Sequence, residues 1–311
     1  MSGSAVFAAL VPVFLLIVAG VLARRWLIPD DVHWLGIERL VYYLLFPALL
    51  IDTLARADLG KVPVAEVGGA LLIAVLVMSA LCLALRTPMM RMLSIEGPAF
   101  TSVFQGSTRW QTFVALSVSA ALYGEAGLAL ASVAAIAMIP VLNVLNVWVL
   151  ARFAAPVPPR WRSVAKALAQ NPLIWSCLVG IALNIEHVPI PGTVHTFADT
   201  LGRASLALGL LLVGAGLKTR GLFRPAAATW VAVVLKLVVM PAIAIVLARV
   251  FGTTGNNLAI VACCASVPAA SSAYVLARQM GGDTELLAEI LTVQTIIAVA
   301  TMPAIIELAL K

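Results

Sequence analysis

Long apolar stretches, each of about 20 residues, alternate with short polar connections along the whole chain. A stretch of that length crosses the hydrocarbon core of a bilayer as one α-helix. We therefore predict an all-α membrane protein with ten membrane-spanning helices. They lie at about Val6–Ala23, Trp34–Leu54, Val64–Leu85, Pro98–Tyr123, Leu128–Leu150, Pro172–Ile185, Phe197–Leu217, Ala226–Val250, Asn256–Ala277 and Leu286–Leu310.

The composition agrees with this pattern and excludes a soluble domain. Hydrophobic residues make up 62% of the chain and charged residues 11%, whereas soluble domains are about half apolar and a quarter charged. The four cysteines all fall inside apolar stretches without metal-ligand spacing, so we expect small buried side chains and no metal site. No sequence motif of a hydrolase or of a phosphate-binding loop occurs, so we do not expect an enzyme.

The basic residues indicate the orientation. Most of them fall in the connections after the first, third, fifth, seventh and ninth predicted spans, and few fall on the other side. By the positive-inside rule, both termini are expected outside. The net charge of +6 is therefore assigned to membrane orientation and not to nucleic-acid binding.

The chain contains an internal repeat. The fifth span carries AIAMIP ending at Pro140, and the tenth carries AVATMP ending at Pro303. The fourth and ninth spans align without a gap when Gln111 is paired with Pro268. A unit of five spans is odd, so the two copies cross in opposite senses, as in several secondary transporters. We predict two inverted five-helix repeats, residues 1–151 and 170–311, joined by a short cytoplasmic linker at 152–169.

The ninth span has a proline, Pro268, near the middle of an uncharged stretch, flanked by small and hydroxyl residues. Proline removes a backbone donor, and in hydrocarbon the freed carbonyls need partners inside the protein. One interpretation is a broken helix at a transport site. The other is a kinked helix whose small residues let neighbouring helices approach.

The fourth span is interrupted by polar residues at positions where a spanning helix is usually apolar. Arg109 lies among them, and an intramembrane ionisable residue is a functional hypothesis by default. The alternative is a loop from which Arg109 extends to the membrane surface. If both helices are broken, their second halves begin near Trp110–Gln111 and Pro268–Ala269, and two helix starts beside an arginine suit a carboxylate. The predicted substrate-binding residues are Ser107, Thr108, Arg109, Gln111, Thr112, Pro268, Ser271 and Ser272.

Other polar residues within the spans are candidates for coupling to an ion, or for structural bonds between helices. They are Asp52, Asn143, Asn146, Lys236 and Gln294. Asp52 has three open interpretations: a proton or cation carrier, a partner of Arg109, or an acid at the membrane surface. We expect Glu289 at the membrane surface and all three histidines, including His195, in water.

Several stretches together resemble the auxin efflux carrier family, which includes bacterial permeases and the plant PIN exporters. The matching stretches are YYLLFPALLIDTL, FQGSTRWQTFVAL, NPLIWSCLVGIALN, LGLLLVGAGL, VPAASSAYVLARQMGGDTELLAEI and LTVQTIIAVATMP. They cover nearly the whole chain in the family's order. The resemblance implies a ten-span fold like that of bile-acid sodium symporters, with a scaffold domain and a transport domain. It also implies that spans four and nine cross at unwound centres beside the substrate, in a bacterial inner membrane.

The chain departs from PIN exporters at two places. Those proteins have a proline at the centre of both crossing helices, but no proline lies between Pro98 and the end of the fourth span here. The break in that span is therefore expected from Gly106 and the polar residues. The long cytoplasmic loop common in PIN proteins is replaced by the short APVPPRWRSVAK region, so we expect no regulation through such a loop.

These observations predict a secondary active transporter or uniporter for a small organic anion, with a carboxylate as the expected class, working by alternating access. The coupling ion, if there is one, is Na⁺ or H⁺, and no other cofactor is expected. The expected partners are the anion and the lipid bilayer, with a homodimer as a candidate assembly. The alternatives are a receptor or scaffold that does not transport, and a sodium-coupled symporter.

Overall fold

The computed structural model describes residues 3–57, 64–154, 166, 169–218 and 224–311, and the chain forms helices and no strands within these residues. The α-helices are α1 Gly3–Leu22, α2 Asp31–Leu40, α3 Phe46–Arg56, α4 Val64–Ala84, α5 Arg86–Leu93, α6 Gly97–Thr108, α7 Thr112–Phe153, α8 Pro172–Ile185, α9 Gly192–Ala215, α10 Ala227–Val234, α11 Met240–Val250, α12 Gly255–Ser266, α13 Ser272–Met280 and α14 Thr284–Leu310. Short π-helical segments follow α1, α2 and α10. Most of the predicted linker, residues 155–165 and 167–168, lies outside the described residues.

The helices agree closely with the predicted spans because the length of an apolar stretch limits where a membrane helix ends. Seven stretches of the described residues are long and apolar enough to cross a membrane. Two further apolar helices, α8 and α12, are shorter. Large apolar side chains such as Phe7, Leu15 and Tyr43 are more than half exposed, as expected where lipid surrounds a protein.

One of the seven stretches, Gly97–Phe153, is 57 residues long. As a straight helix it would measure about 85 Å, nearly three times the hydrocarbon thickness. The chain instead turns at Gly124, which has φ 59° and ψ −143°, a conformation that favours glycine. A Cβ atom on Gly127 would lie 2.2 Å from the carbonyl oxygen of Ser119, so the chain doubles back within α7.

Two of the π-helical segments lie between two α-helical segments of one continuous helix and precede a proline within it. Val41–Leu45 leads into Phe46 and Pro47, and Leu235–Val239 leads into Met240 and Pro241. A proline ring clashes with the carbonyl four residues earlier in an α-helix, and a widened turn relieves that clash. The second widened turn contains Lys236.

The helices form two packed groups. In one, α3 packs against α8 and α9, and α9 packs against α1. In the other, α4, α6, α7, α10, α11, α12 and α14 pack together. Contacts between the groups run from α1 to α7 and α14, and from α3 and α9 to α7. The two broken helices described below both belong to the second group.

One end of the bundle collects many of the basic residues. The Arg86 guanidinium lies 4.7 Å from the centroid of the Phe153 ring, and the Asp283 N–H donates to the carbonyl of Pro98 across 3.3 Å. These contacts bring the ends of α4, α7 and α13 to the start of α6. We call this the basic end; it includes Arg86, Arg91, Arg152 and Arg278.

Candidate functional site

Two helices are interrupted in the middle of the bundle. Helix α6 ends at Thr108 and α7 begins at Thr112, while α12 ends at Ser266 and α13 begins at Ser272. Both first halves are 12 residues long. They are followed by a residue with nearly the same extended conformation: Arg109 has φ −65° and ψ 155°, and Val267 has φ −65° and ψ 150°. Aligning these helix ends pairs Trp110 with Pro268, one residue away from the alignment drawn from the sequence.

The two interruptions touch each other. The backbone N–H of Gln111 donates to the carbonyl oxygen of Pro268 across 3.2 Å. The indole Nε1 of Trp110 donates to the carbonyl oxygen of Cys264 across 2.7 Å. The break in the fourth span is therefore stabilised by bonds to the ninth, although it contains neither proline nor glycine.

Two local expectations from the sequence were wrong. Gly106 lies inside α6 and not at the break, and a Cβ atom there would lie 2.6 Å from Cγ2 of Ile290. Its role is the close approach of α6 to α14. Pro268 does not begin the second half-helix, because α13 starts at Ser272 with Ser271 as its N-cap residue.

Arg109 is the central charged residue of this region. Only 7% of its surface is exposed, and its Nη1 donates to the hydroxyl of Ser272 across 3.0 Å. Its Nε has no hydrogen-bond partner among the described residues, and it forms no salt bridge there. Ser272 is exposed, so the buried guanidinium lies next to an accessible hydroxyl.

Gln111 completes the cluster. Its side-chain Nε2 donates to the hydroxyl of Ser271 across 3.2 Å. Gln111 and Ser271 are the N-cap residues of α7 and α13, and neither side chain caps its own helix. The first N–H groups of a helix have no partner within it and attract anions. Arg109, Gln111, Ser271 and Ser272 thus lie together at two helix starts, with the half-buried Thr112 as the first residue of α7.

Ser107 and Thr108 are not part of this cluster. Their hydroxyls donate to the carbonyls of Val103 and Phe104, both across 2.8 Å, within α6. Both residues are buried. Thr108 faces Asn146, whose Oδ1 lies 3.5 Å from the threonine hydroxyl and whose amide donates to its own helix.

Gln294 of α14 connects both broken helices. Its Oε1 accepts the N–H of Ala269 across 3.0 Å. Its Nε2 donates to the carbonyl oxygens of Gly106, at 2.9 Å, and of Ala232, at 3.1 Å. The amide N–H group of Gln294 thus donates to a carbonyl near the end of α6, and its oxygen accepts an N–H at the break between α12 and α13. In a membrane interior such backbone groups need partners within the protein.

Two fully buried polar side chains have no partner among the described residues. They are Gln105, through both amide atoms, and Lys236, through Nζ. Gln105 lies one helical turn before Arg109 and hence on the same face. Lys236 lies one turn after Ala232, whose carbonyl binds Gln294. Unpaired buried polar groups are rare and call for an explanation.

Asp52 does not pair with Arg109. Nδ1 of His195 lies 2.9 Å from both carboxylate oxygens of Asp52. The His195 side chain is 27% exposed, so the expectation of a solvated histidine was wrong. The pair joins α3 to α9, both outside the group that contains the broken helices.

Sequence reasoning missed Trp110 as a site residue. A tryptophan among polar residues is itself a signal, because a buried indole N–H usually needs an acceptor. It also missed Lys218 and Tyr274, which are close in space and 56 residues apart in sequence.

Comparison with known proteins gives two matches. Residues 160–306 match the family model described as membrane transport protein. An uncharacterized transporter of Methanothermobacter thermautotrophicus is 27% identical over 132 residues, which is 42% of this chain and 43% of that relative. The chain thus matches less than half the length of this curated relative. The second half of the chain is thus similar to membrane transport proteins, in agreement with the resemblance of its motifs to the auxin efflux carrier family.

Proposed function

We propose that this protein is a secondary active transporter or uniporter that moves a small organic anion, a carboxylate, by alternating access. The substrate binds where the two broken helices cross. The observation that carries the proposal is the buried guanidinium of Arg109, which has no acidic partner in the described chain and lies beside the exposed Ser272.

A carboxylate fits this arrangement in charge and in shape. An intramembrane arginine costs several kcal/mol unless it is paired or hydrated, and a bound anion would offset that cost. Arginine binds carboxylates through two parallel N–H groups. Nε of Arg109 is without a partner within the described residues and Nη1 reaches only a serine, so one edge of the guanidinium suits a carboxylate.

The repeat architecture is part of the proposal. Ten crossings result if Gly97–Phe153 spans the membrane twice and if α8 and the α12–α13 pair each span it once. Helices α6 and α12 are equally long, and the residues that follow them, Arg109 and Val267, have nearly the same φ and ψ. Both similarities support two inverted repeats. Alternating access would then be a movement between the two helix groups. Basic residues at one end support a cytoplasmic assignment for that end, with both termini outside a bacterial inner membrane.

The crossing favours a mechanism without sodium. A sodium site would need several oxygen ligands, including carbonyls freed at the helix breaks. Gly106 and Cys264 supply such carbonyls, but each already accepts a hydrogen bond, from Gln294 and from Trp110, which leaves one lone pair on each oxygen for a cation. Uptake that is equal in sodium and choline buffers is expected, and uptake that needs sodium would favour the symporter.

A receptor or scaffold remains the second candidate because Arg109 and Gln111 are both hydrogen-bonded to serines within the bundle. In that case the crossing would exclude water. Cysteine substitution at Ser272, Ser271 and Thr108 separates the candidates. A transporter predicts labelling from water at the half-buried Ser271 as well as at the exposed Ser272, with slow labelling at the buried Thr108, whereas a scaffold protects Ser271 and Thr108 and leaves only Ser272 reactive.

The test of the proposal begins with a thermal-shift screen of the purified protein against acetate, lactate, pyruvate, succinate and benzoate, since a ligand of the folded state raises its apparent stability. The carboxylates that raise it are then used for uptake into proteoliposomes. Arg109→Gln should abolish uptake without changing the unfolding temperature of the protein alone. Arg203→Gln is the control, because Arg203 is exposed and bound to Asp199. Unchanged uptake by Arg109→Gln would overturn the proposal.

A further inference from the structure

Lys218 and Tyr274 form a cationic pair beside the candidate site. Lys218 follows α9 and is exposed. Its Nζ donates to the Tyr274 hydroxyl across 2.7 Å and lies 4.2 Å from the centroid of the tyrosine ring. Tyr274 is two residues after Ser272, in the first turn of α13.

The position of Lys218 is fixed by its backbone. Its N–H donates to the hydroxyl of Thr292 across 3.1 Å, and that hydroxyl lies 3.1 Å from the carbonyl oxygen of Lys218. Just before it, a Cβ atom on Gly216 would lie 3.7 Å from the hydroxyl oxygen of Ser271. The end of α9 is therefore held against the start of α13, with Lys218 at its edge.

Two cations thus contact the first turn of the same helix. Arg109 is buried and binds Ser272, whereas Lys218 is exposed and binds Tyr274. Ser271 and Tyr274 are three residues apart and share a helical face. We call the surface formed by Lys218, Tyr274 and the exposed Ser272 the entrance. Because Lys218 is exposed and Arg109 is buried, an anion arriving there from solvent would reach the lysine before the arginine.

We propose that Lys218, positioned by Tyr274, is the residue at which the anion is first captured before it moves to Arg109. An ammonium group has three N–H donors, and Tyr274 accepts from one of them, which leaves the others for a carboxylate. The low-dielectric protein around the entrance concentrates the field of such a charge and raises the local concentration of anions. This inference rests on the proposed anion transport and assigns the entry step of that function.

The competing explanation is a structural latch. In that case the Lys218–Tyr274 contact holds α9 against α13 and its charge has no role. Removal of a latch would open or loosen the entrance for reagents of either charge. Removal of an electrostatic capture residue would slow the reaction of anionic reagents at the entrance and not that of cationic reagents.

The experiment measures access to the entrance and does not require transport. Ser272→Cys places one exposed thiol beside Arg109, while the four native cysteines are buried, and the unmodified protein is the blank. The labelling rates of the anionic reagent methanethiosulfonate ethylsulfonate and of its cationic trimethylammonium analogue are compared. Lys218→Gln should lower the anion-to-cation rate ratio about three- to tenfold at low salt, and Lys218→Arg should keep it.

Arg278→Gln is the matched control, because Arg278 is an exposed cation on α13, the helix that begins at Ser272, and lies near the other end of that helix. Its rate ratio should change less than that of Lys218→Gln at low salt, and by no more than about 1.5-fold at 0.15 M salt, where the Debye length is about 8 Å. An equal change for both reagents in Lys218→Gln, or an equal loss in Arg278→Gln, would overturn the capture role. If no carboxylate is taken up by the wild type, the transport proposal fails, and the labelling ratios still decide what Lys218 does.

Discussion

The backbone N–H of Gln111 donates to the carbonyl oxygen of Pro268, so the two broken helices are bonded to each other through their main chains. A helix break in a bilayer exposes N–H and C=O groups that cost several kcal/mol each when unpaired. Here the first break provides the N–H donor and the second break provides the carbonyl acceptor. The two breaks are therefore expected to be stable only together.

Gln294 should be essential for the stability of this crossing. Replacing Gln294 with methionine removes its bonds to Ala269, Gly106 and Ala232. Among the described residues, the Ala269 N–H and the Gly106 carbonyl then lose their partner, whereas the Ala232 carbonyl still accepts from the N–H of Leu235. Each such group costs about 1–3 kcal/mol. We expect a loss of at least about 2 kcal/mol in the free energy of unfolding, measured by denaturant titration in detergent micelles.

Gln105→Met is the control for this prediction. Gln105 is equally buried, but both of its amide atoms are without partners in the part of the chain that the structure describes. The substitution keeps the side-chain length and removes no hydrogen bond, so stability should change by less than about 1 kcal/mol or increase. Similar losses for the two variants would contradict the role given to Gln294.

These glutamines illustrate what the sequence can and cannot predict. Helix bounds follow from the lengths of the apolar stretches, and Pro268 and Arg109 stand out because a membrane span disfavours both. The partner of a polar side chain depends on tertiary packing: Gln294 binds Gly106 across 188 positions, and His195 binds Asp52 across 143. The lack of a proline in the fourth span leads to the expectation that Gly106 and the polar residues cause the break, whereas the close contact with Ile290 explains the glycine.

Glu289 should stabilise the start of α10 from a neighbouring helix. Its Oε1 accepts the N–H of Ala226 across 2.8 Å and the hydroxyl proton of Thr229. Glu289→Ala removes this cap and should cost about 1–2 kcal/mol of unfolding free energy. Glu285→Ala is the control, because Glu285 is an exposed acid in the first turn of α14. Equal stability of the two variants in the same titration would count against the cap.

The packing of α1 against α9 should depend on two glycines. A Cβ atom on Gly214 would lie 1.9 Å from the carbonyl oxygen of Ile17, and one on Gly20 would lie 2.2 Å from that of Leu211. Small residues allow such close approach in membrane helices. Gly214→Ala must push the helices apart and should cost about 1–3 kcal/mol, measured by thermal unfolding.

Gly36→Ala tests whether the close contact or the replacement of a glycine as such causes the loss of stability predicted for Gly214→Ala. Gly36 lies within α2, and a Cβ atom there would meet nothing within 4 Å. Alanine favours a helix over glycine by about 0.5–1 kcal/mol, so this variant should be slightly more stable than the wild type. A loss like that of Gly214→Ala would mean that crowding is not the cause.

The Asp52–His195 pair should couple α3 to α9 more strongly than a surface ion pair. Nδ1 of His195 is 2.9 Å from both carboxylate oxygens, and the two side chains are 11% and 27% exposed. A double-mutant cycle with alanine at both positions isolates the pairwise energy, which we expect at about 1–2 kcal/mol. The matching cycle at Asp199 and Arg203, also on α9 but more exposed, should give about 0.3–0.5 kcal/mol.

Because the Asp52–His195 pair lies outside the group of helices that contains the crossing, Asp52→Asn should lower stability while leaving uptake of the carboxylate and its dependence on a pH gradient intact. If uptake by Asp52→Asn no longer responds to that gradient, Asp52 is the proton carrier and not a structural partner of His195.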